Sequence, residues 1–355
     1  MHFPQNRSHA TTRSKKPNVG VRMDSLTQIA LGSCVAAACV PPGQRRKAAL
    51  LGAALGTLPD LDVFVDYGDP VANFTMHRGC THALLVLAVL GLILWAALRA
   101  WWTPVREAPR RWLAAILLAL LTHPLLDAHT AYGTQLFWPS ALTPASWATI
   151  FIIDPLYTLP LLAGMLSVLI RPASRCSGRW LVAGLVLSTL YLGWSWTAKA
   201  MVTANARRTL GASGFQDAPL FVTPTPLNTM LWRVIARTKD GHLEGLDSVI
   251  ADDGPIEFEF HPSDDTALAQ ADNIAAAQRL QWFAGGFVSA KMDGDTLILS
   301  DLRMGQHPNY VFRHAVAQRG NPHWHSIEPQ RLPSTLRTRD LSTIWQRIWH
   351  PTPDL

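Results

Sequence analysis

Apolar runs separated by short Arg-rich stretches fill the chain from Leu26 to about Trp196, and they constrain its fold more than any other feature. Two runs, Ala83 to about Trp102 and Ile150 to Ile170, are long enough to span a bilayer, which takes about 20 apolar residues. From about Lys199 to Leu355 the chain is instead polar and of mixed charge. The pattern predicts an α-helical polytopic membrane bundle followed by a C-terminal soluble α+β domain.

Shorter apolar runs lie beside these two. Trp112 to Leu126 and Trp180 to Trp196 are a little short of a full span, but their flanking aromatic residues suit the interfacial belts of a bilayer. Leu26 to Val40 and Ala48 to Leu58 are shorter still, so we expect half-spanning or tilted helices there. The small residues that would let these two helices approach closely are Gly32, Gly52 and Gly56.

Basic residues cluster between the apolar runs, and this placement gives the net charge of +6 its meaning. Clusters that flank apolar runs are typical of cytoplasmic loops rather than of a nucleic-acid surface. The clusters are Gln44 to Lys47, Arg99 to Arg111 and Arg171 to Arg179. The regions then expected outside are Pro59 to His82, Asp127 to Thr149 and everything after about Trp196. We therefore expect a multi-pass membrane protein with no nucleic-acid partner.

Three segments follow from these patterns. Residues 1–22 are polar and basic without an apolar core, which predicts a disordered extension. Residues 23–198 form the multi-helix membrane domain, and residues 199–355 form an extracytoplasmic soluble domain. In this tail, the elements that we predict are strands at Ile256 to His261 and Thr296 to Leu302 and a helix at Ala267 to Trp282. The four cysteines lack metal or redox spacing, so no disulfide framework is expected.

Two aspartates follow an apolar helix in the sequence LPDLD. Pro59 ends the helix, and the alternation after it points Asp60 and Asp62 the same way, so one surface would hold two oxygen ligands. The simpler interpretation of these two residues alone is a solvated turn.

Two histidines stand directly before the span that begins at Ala83. Their spacing of five places His77 on the entering loop and His82 in the first helical turn. Imidazole is a common ligand of zinc and similar metals. Two isolated histidines at a membrane interface could equally bind no metal.

A histidine and an aspartate lie near the end of a run that otherwise resembles a membrane helix. His123 and Asp127 are four residues apart and share one helical face. An acid inside such a helix costs about 2.5–3.5 kcal/mol on insertion scales, which favours a paired or functional role. A buried hydrogen-bonded pair is the alternative to ligation. Asp154, the only charged residue of Ile150 to Ile170, is either a further site residue or a helix N-terminal charge.

The topology derived from Arg and Lys puts all of these His and Asp residues on one side of the membrane. Such a set suits Zn²⁺, or Mn²⁺ or Fe, and is large enough for one or two ions. The predicted metal ligands are Asp60, Asp62, His77, His82, His123 and Asp127. An Asp that does not bind metal, Asp24 or Asp154, is expected to act as base. Arg78 would pair with a phosphate oxygen or lie at the lipid headgroups.

Six motifs occur in order along the chain: MDSLTQ from Met23, LPDLD from Leu58, HRGCTH from His77, THPLLD from Thr122, YGTQ from Tyr132 and IIDP from Ile152. As a set they resemble a family of bacterial inner-membrane proteins described as metal-dependent hydrolases, whose founding members are LexA-regulated. The likeness is close from Met23 to about Ile170 and looser in the tail. Many relatives carry His where this chain has Gln28, so Gln28 is not among the predicted ligands.

That family is distantly similar to zinc-dependent phospholipases C and single-strand nucleases, which are helical and bind zinc through clustered His and Asp. The resemblance implies a hydrolase of the bacterial inner membrane that acts on a phosphoester. A site at the membrane face also suits a lipid or another small amphipathic substrate.

Two other classes of function stay open at this stage. Intramembrane His and Asp also mark ion pathways, so a transporter or metal-permeation protein is one alternative. A non-catalytic envelope anchor, whose tail binds a partner, is the other. No phosphate-cradling Gly-rich loop and no nucleophile elbow occur, which lowers the case for an NTPase or a serine hydrolase.

Overall fold

The computed structural model describes residues 19–320, 323–334 and 340–351, with the side chains of 19–25, 340 and 341 left out. Most of the predicted extension, residues 1–22, therefore lies outside the described residues. The helices of the first half are α1 (Val19–Cys39), α2 (Arg45–Thr57), α3 (Pro70–Met76), α4 (Leu84–Trp101), α5 (Thr103–Glu107), α6 (Pro109–Ala128), α7 (Pro155–Ile170) and α8 (Arg175–Ala212).

Three helices in the described part of the chain, α4, α6 and α8, are long and apolar enough to cross a membrane. The span expected from Ala83 to Trp102 is confirmed as α4. The span expected from Ile150 to Ile170 is too long, because α7 begins only at Pro155. Asp154 caps this helix by accepting from the Leu156 N–H, and a residue before proline avoids the helical conformation. α7 has only 16 residues and is shorter than a full span.

Small residues bring α1 and α2 into close contact, as their glycines predict. A Cβ added to Gly56 would lie 2.5 Å from the Gln28 carbonyl oxygen, and Gly32 and Gly52 press on each other's backbone in the same way. No larger residue fits at these positions without moving a helix. The contact brings Gln28 and the end of α2 to the same region of the bundle.

The tail contains two four-stranded antiparallel sheets, in the orders β1-β2-β3-β4 and β10-β9-β6-β5. The first sheet comprises β1 (Leu220–Pro224), β2 (Leu231–Thr238), β3 (Gly241–Ser248) and β4 (Phe258–Pro262). The second comprises β5 (Val288–Asp293), β6 (Thr296–Asp301), β9 (Arg313–Gln318) and β10 (His325–Arg331), while β7 (Gly305–Gln306) pairs with β8 (Asn309–Tyr310). Helices α9 (Asp265–Gln270), α10 (Ala275–Phe283) and α11 (Asp340–Trp349) complete the described elements.

Both predicted tail strands are found within two residues of their expected limits, as β4 and β6. The helix predicted at Ala267 to Trp282 is wrong as one element, because the chain turns between α9 and α10. Asp272 and Asn273 lie in that turn, and both residue types favour turns over helix interiors.

The predicted domain boundary at 198/199 falls inside α8, which is 38 residues long and ends at Ala212. Beyond the apolar part of this helix, Ala198, Val202 and Ala206 pack against Val222 and Trp232 of the first sheet. The helix therefore belongs to both halves of the molecule.

The second sheet meets the first half through aromatic side chains around α3. Phe74 of α3 stacks on Phe312, with ring centroids 4.2 Å apart, and contacts Phe283 edge-on at 4.8 Å. Tyr132, from the loop after α6, contacts both Phe283 and Phe312. These four rings form what we call the aromatic cluster.

Candidate metal centre

Three chain segments meet where apolar helices begin or end. Asp60 lies in the 3₁₀ helix Pro59–Phe64 that follows α2, His82 ends the 3₁₀ helix Cys80–His82 before α4, and the last turn of α6 carries both His123 and Asp127. The Arg-rich stretches lie at the opposite ends of the same helices, at the beginning of α2 and α6 and the end of α4. The Arg-rich stretches and the predicted His and Asp ligands therefore lie at opposite ends of these helices, as the sequence pattern predicts.

One ligand atom from each of these four residues lies within 4.8 Å of the other three. We call Asp60, His82, His123 and Asp127 the His/Asp cluster. The two Nε2 atoms are 3.1 Å apart, and they lie 3.2 and 3.4 Å from Asp127 Oδ2. Asp60 Oδ1 lies 3.4 Å from each Nε2 atom.

Hydrogen bonds on the far side of each ring set the direction of the imidazole lone pairs. His123 Nδ1 lies 2.7 Å from the Gly56 carbonyl oxygen, which only accepts, so Nδ1 is the donor. His82 Nδ1 lies 2.9 Å from Thr81 Oγ1, whose own hydrogen goes to Asp62 Oδ2. In the neutral rings both Nε2 lone pairs therefore point at each other across 3.1 Å. Such an arrangement is repulsive unless a cation, either a proton or a metal ion, lies between the two nitrogens.

Asp127 has one oxygen held by the protein and one turned to the cluster. Gln28 Nε2 donates to Oδ1 at 2.9 Å. Oδ2 is buried and accepts no hydrogen bond within the described residues, although Arg78 Nε lies 3.3 Å away. This oxygen faces the Arg78 guanidinium on one side and both Nε2 atoms on the other, so it is placed to share a cation with the two histidines.

Asp60 gives the cluster its opening, because its side chain is 20% exposed while the two histidine side chains are fully buried. Burial raises the pKa of the Asp60 carboxyl, but His123 and His82 outweigh this effect when they carry a proton on Nε2, and the net pKa is lowered. The carboxylate is therefore ionised at neutral pH and able to bind a cation.

The geometry fits a tetrahedral divalent ion. An edge of a regular tetrahedron is about 1.63 times the centre-to-corner distance, so bonds of about 2.0–2.1 Å give edges of about 3.3–3.4 Å. Five of the six edges of the cluster run from 3.1 to 3.4 Å, and the sixth, between the carboxylates of Asp60 and Asp127, is at most 4.8 Å. Two imidazole nitrogens and two carboxylate oxygens are ligands that zinc accepts. The cluster could therefore hold one metal ion, and its donor set does not identify the metal.

Asp62 and His77, also predicted as ligands, lie outside the His/Asp cluster. The expectation that Asp60 and Asp62 point the same way is wrong, because the segment is a 3₁₀ helix, in which residues two apart lie on different faces. Asp62 Oδ1 bonds His77 Nδ1 at 2.7 Å, and Oδ2 accepts from Thr81 Oγ1 and the Arg78 N–H. Hydrogen bonds from His77 and Thr81 lower the Asp62 pKa against the effect of burial. The pair holds the loop that carries His82.

Arg78 is buried and faces inward, which excludes the position at the headgroups for its side chain. Its Nη1 donates to Thr130 Oγ1 at 3.1 Å, and its guanidinium lies 5.1 Å from the Tyr132 ring centroid. Beside Asp127, it holds that carboxylate in place.

Of the two candidate bases, Asp154 and Asp24, the structure describes the side chain of Asp154 alone. Asp154 accepts from Tyr191 Oη at 2.8 Å and caps α7, and the structure assigns it this capping contact rather than a position in the His/Asp cluster. Asp24 lies in α1, but its side chain is outside the described part of the chain.

Sequence reasoning missed the residues that support the ligands. Gln28 was set aside because it is not His, yet it binds a ligand carboxylate. A buried amide in an apolar run was the available signal. Tyr132 and Thr81 lie within motifs that were noted only for their resemblance to a family, and their roles depend on contacts that the sequence does not display.

Comparison with known proteins adds a family to this geometry. Residues 23–202 match the YdjM inner membrane protein family, which is half of the chain and includes every residue of the His/Asp cluster. The chain is 22% identical over 227 residues to a Bacillus subtilis (strain 168) protein named "Uncharacterized protein YfhP". That match covers 61% of this chain and 65% of the relative, slightly less than two thirds of its length. No solved structure matches the chain.

Proposed function

The chain belongs to the YdjM inner membrane protein family, and from that membership and its His/Asp cluster we propose a membrane-bound metal-dependent hydrolase. The site would act at the extracytoplasmic face on a phosphoester or lipid-like substrate. Membrane localisation rests on the family and on three apolar helices. The reaction, the substrate and the side of the membrane are our proposals.

One observation carries the proposal: four donors from three distant segments converge with tetrahedral edges and with both imidazole lone pairs turned inward. A structural His–Asp pair needs only one contact between hydrogen-bonding partners. Holding four donors at these distances without a cation costs free energy, and natural proteins keep such arrangements mainly at functional sites.

His82, His123, Asp60 and Asp127 would hold the ion. Such an ion supplies Lewis acidity, which polarises a phosphoryl oxygen and lowers the pKa of a water molecule. Gln28 and Arg78 keep the Asp127 carboxylate oriented, and Asp60 borders the opening through which a substrate enters. Asp24, four residues before Gln28 in α1, stays our candidate for the base.

A lipid-like substrate fits the surroundings of the opening. The 3₁₀ helix that carries Asp60 exposes Leu61, Val63 and Phe64, and the exposed fraction of the Phe64 side chain is 83%. Exposed apolar residues beside a site at the end of apolar helices suit a ligand with its tails in the bilayer.

The topology is part of the proposal. With the Arg-rich stretches cytoplasmic, Lys47, Arg106 and Arg175 lie inside, whereas Asp60 and the tail lie outside. Reporter fusions at Arg106 and after Trp196 test this arrangement. Labelling of both positions from the same side would contradict it.

The activity test uses purified protein in detergent with a chromogenic phosphodiester and a phospholipid as substrates. We expect hydrolysis that chelation abolishes and zinc restores, and that His82→Ala removes. His129→Ala is the matched control, because His129 bonds the Leu125 carbonyl and contacts Trp147 edge-on, away from the His/Asp cluster. If metal-loaded protein cleaves neither substrate but moves zinc across vesicle membranes, the transporter alternative replaces this proposal.

A further inference from the structure

A cavity of about 460 Å³ lies between the two halves of the molecule and uses none of the His/Asp cluster. One wall is the loop after α6, including Trp138 and Ser140, and the other is α10, including Gln278, Arg279 and Trp282. The loop is tied to the first residue of α4, because the Leu84 N–H donates to the Leu136 carbonyl at 3.0 Å. The loop that forms this wall is therefore anchored to the start of an apolar helix.

The polar lining of this cavity suits an anion. Arg279 is the charged residue among the lining side chains, and the other polar groups are the amides of Gln135 and Gln278 and the hydroxyl of Ser140. No carboxylate lines the cavity, and the hydrogen-bond partners of Arg279 within the described residues are Thr75 and Met76. Gln135 and Gln278 each donate one amide hydrogen to a backbone carbonyl, of Thr75 and Asp272, and each keeps a second one. An arginine without an acidic partner beside such donors is an anion-binding arrangement.

Arg279 is also held in position before any ligand arrives. Its Nε donates to Thr75 Oγ1 at 3.0 Å, and its guanidinium lies 4.4 Å from the centroid of the Trp282 ring. Trp282 is itself fixed, because its Nε1 donates to the Ala141 carbonyl at 2.8 Å. A guanidinium has five N–H groups, of which one on Nε bonds Thr75 and one on Nη2 contacts Met76 Sδ at 2.9 Å. The others stay available to an anion at a small entropy cost.

An apolar cleft adjoins the polar cavity. This second cavity, of about 340 Å³, shares Gln135, Trp138 and Ser140 with the first. Its other lining residues include Phe137 and Leu142, whose side chains are more than half exposed. Polar and apolar cavities with a common wall suit an amphipathic ligand.

We propose that the two cavities bind one anionic phospholipid, with the phosphodiester on Arg279 and the first part of the acyl chains along Phe137 and Leu142. The inference rests on the membrane placement of the chain and not on hydrolysis. The bound lipid would hold the tail against the membrane half, since one wall comes from each.

Three probes divide the ligand into its parts. Dioleoylphosphatidylglycerol carries head and tails, dioleoylglycerol carries tails without phosphate, and glycerol 3-phosphate carries the head alone. Binding to the full chain in a neutral detergent is measured by native mass spectrometry. We expect phosphatidylglycerol to bind at least about tenfold more tightly than either part, because each part loses one of the two cavities.

Matched variants test the residue that carries the charge. Arg279→Gln should weaken phosphatidylglycerol about tenfold, the loss expected for a charge-assisted hydrogen bond, and leave dioleoylglycerol unchanged. Arg319→Gln is the control, because Arg319 is an exposed tail arginine that also lies over a tryptophan, Trp324. Ala275→Glu adds a carboxylate to the lining at the first position of α10, where an acid suits the helix, so it should weaken the lipid without harming the fold.

Three results would overturn the proposal. Equal binding by Arg279→Gln and Arg319→Gln removes the role of Arg279. Dioleoylglycerol as tight as the phospholipid leaves only an apolar cleft, and glycerol 3-phosphate as tight leaves only a free-phosphate site. Repeating the titration in His123→Ala separates this proposal from the hydrolase, because lipid binding should persist when the His/Asp cluster is broken.

Discussion

The two halves of the molecule divide the work differently from what their composition suggests. The apolar half supplies every member of the His/Asp cluster, whereas the polar tail, which contains several more histidines, supplies none. The tail instead contributes rings to the aromatic cluster around Phe74 and Tyr132. A polar residue therefore indicates a functional site most clearly where its surroundings are apolar, because only there must the free-energy cost of its burial be offset.

The halves meet through a short chain of contacts. Phe283 and Phe312 pack on Tyr132, the Tyr132 ring faces the Arg78 guanidinium, and Arg78 lies beside Asp127. Tail packing and metal binding should therefore be linked. Four measurements test how far the two halves depend on each other.

The largest expected effect is the loss of bound metal when a ligand is removed. His123→Ala should abolish metal content measured by elemental analysis, because it opens a closed set of donors. His261→Ala is the contrasting variant in the tail, where His261 stacks on His307. We expect His261→Ala to keep its metal. Metal lost from the tail variant and kept by His123→Ala would reverse the comparison.

Next in size is the loss of tail packing. Phe283 is fully buried in the aromatic cluster, so Phe283→Ala should lower the free energy of unfolding by about 3–5 kcal/mol. Phe215→Ala is the control, because Phe215 is 41% exposed. Denaturant unfolding in detergent measures both. The folded Phe283→Ala protein should also bind metal more weakly through Tyr132 and Arg78, and unchanged affinity would show that the halves are independent.

A smaller effect is expected from the residue that orients a ligand. Gln28→Ala removes the donor to Asp127 Oδ1 and should weaken metal affinity about 10–100-fold, the usual range for such supporting groups. Ser33→Ala, also in α1, is its control, because Ser33 donates to the Ala49 carbonyl instead. Competition with a chelator of known affinity measures the difference. Equal affinities in the two variants would remove Gln28 from the site.

The smallest effect concerns the pH dependence of tail stability. Burial lowers the pKa of His242 to about 3, with nearby His261 and Arg237 adding to the shift. Below an unfolded pKa of about 6.5, the unfolded state binds more protons, so stability falls as pH decreases from about 6.5 towards 3. His242→Gln should flatten this dependence by about 1 kcal/mol or slightly more per pH unit. His325→Gln, at an exposed histidine, should leave the slope as it is.

Local patterns predicted much of the fold. The limits of α4, the glycine contacts of α1 with α2 and two tail strands followed from periodicity and residue size. Asp154 was considered as a helix N-terminal charge, but the start of the span was not moved to Pro155, and the turn at Asp272-Asn273 was overlooked. These errors concern limits of elements, which hydrophobicity alone does not determine.

The candidate site was predictable in part because buried charge in an apolar run is costly wherever the chain folds. That argument identified His123 and Asp127, whereas His82 followed from its place directly before a span, and neither argument separated Asp60 from Asp62. Their separation depends on the 3₁₀ helix and on partners 15 to 19 residues away. The role of Gln28 was not predicted, because its partner Asp127 lies 99 residues away and only the fold brings the two together.

The continuity of α8 limits how the tail can move. A helix of 38 residues rises about 57 Å, well beyond the roughly 30 Å of a hydrocarbon layer. The last turns of α8 pack against the first sheet, so the tail is attached to the membrane half through one continuous helix with no break at 198/199. A lid that swings open on a flexible linker is therefore not the motion that this architecture favours. Opening of the site would come from small tilts of the whole α8 helix.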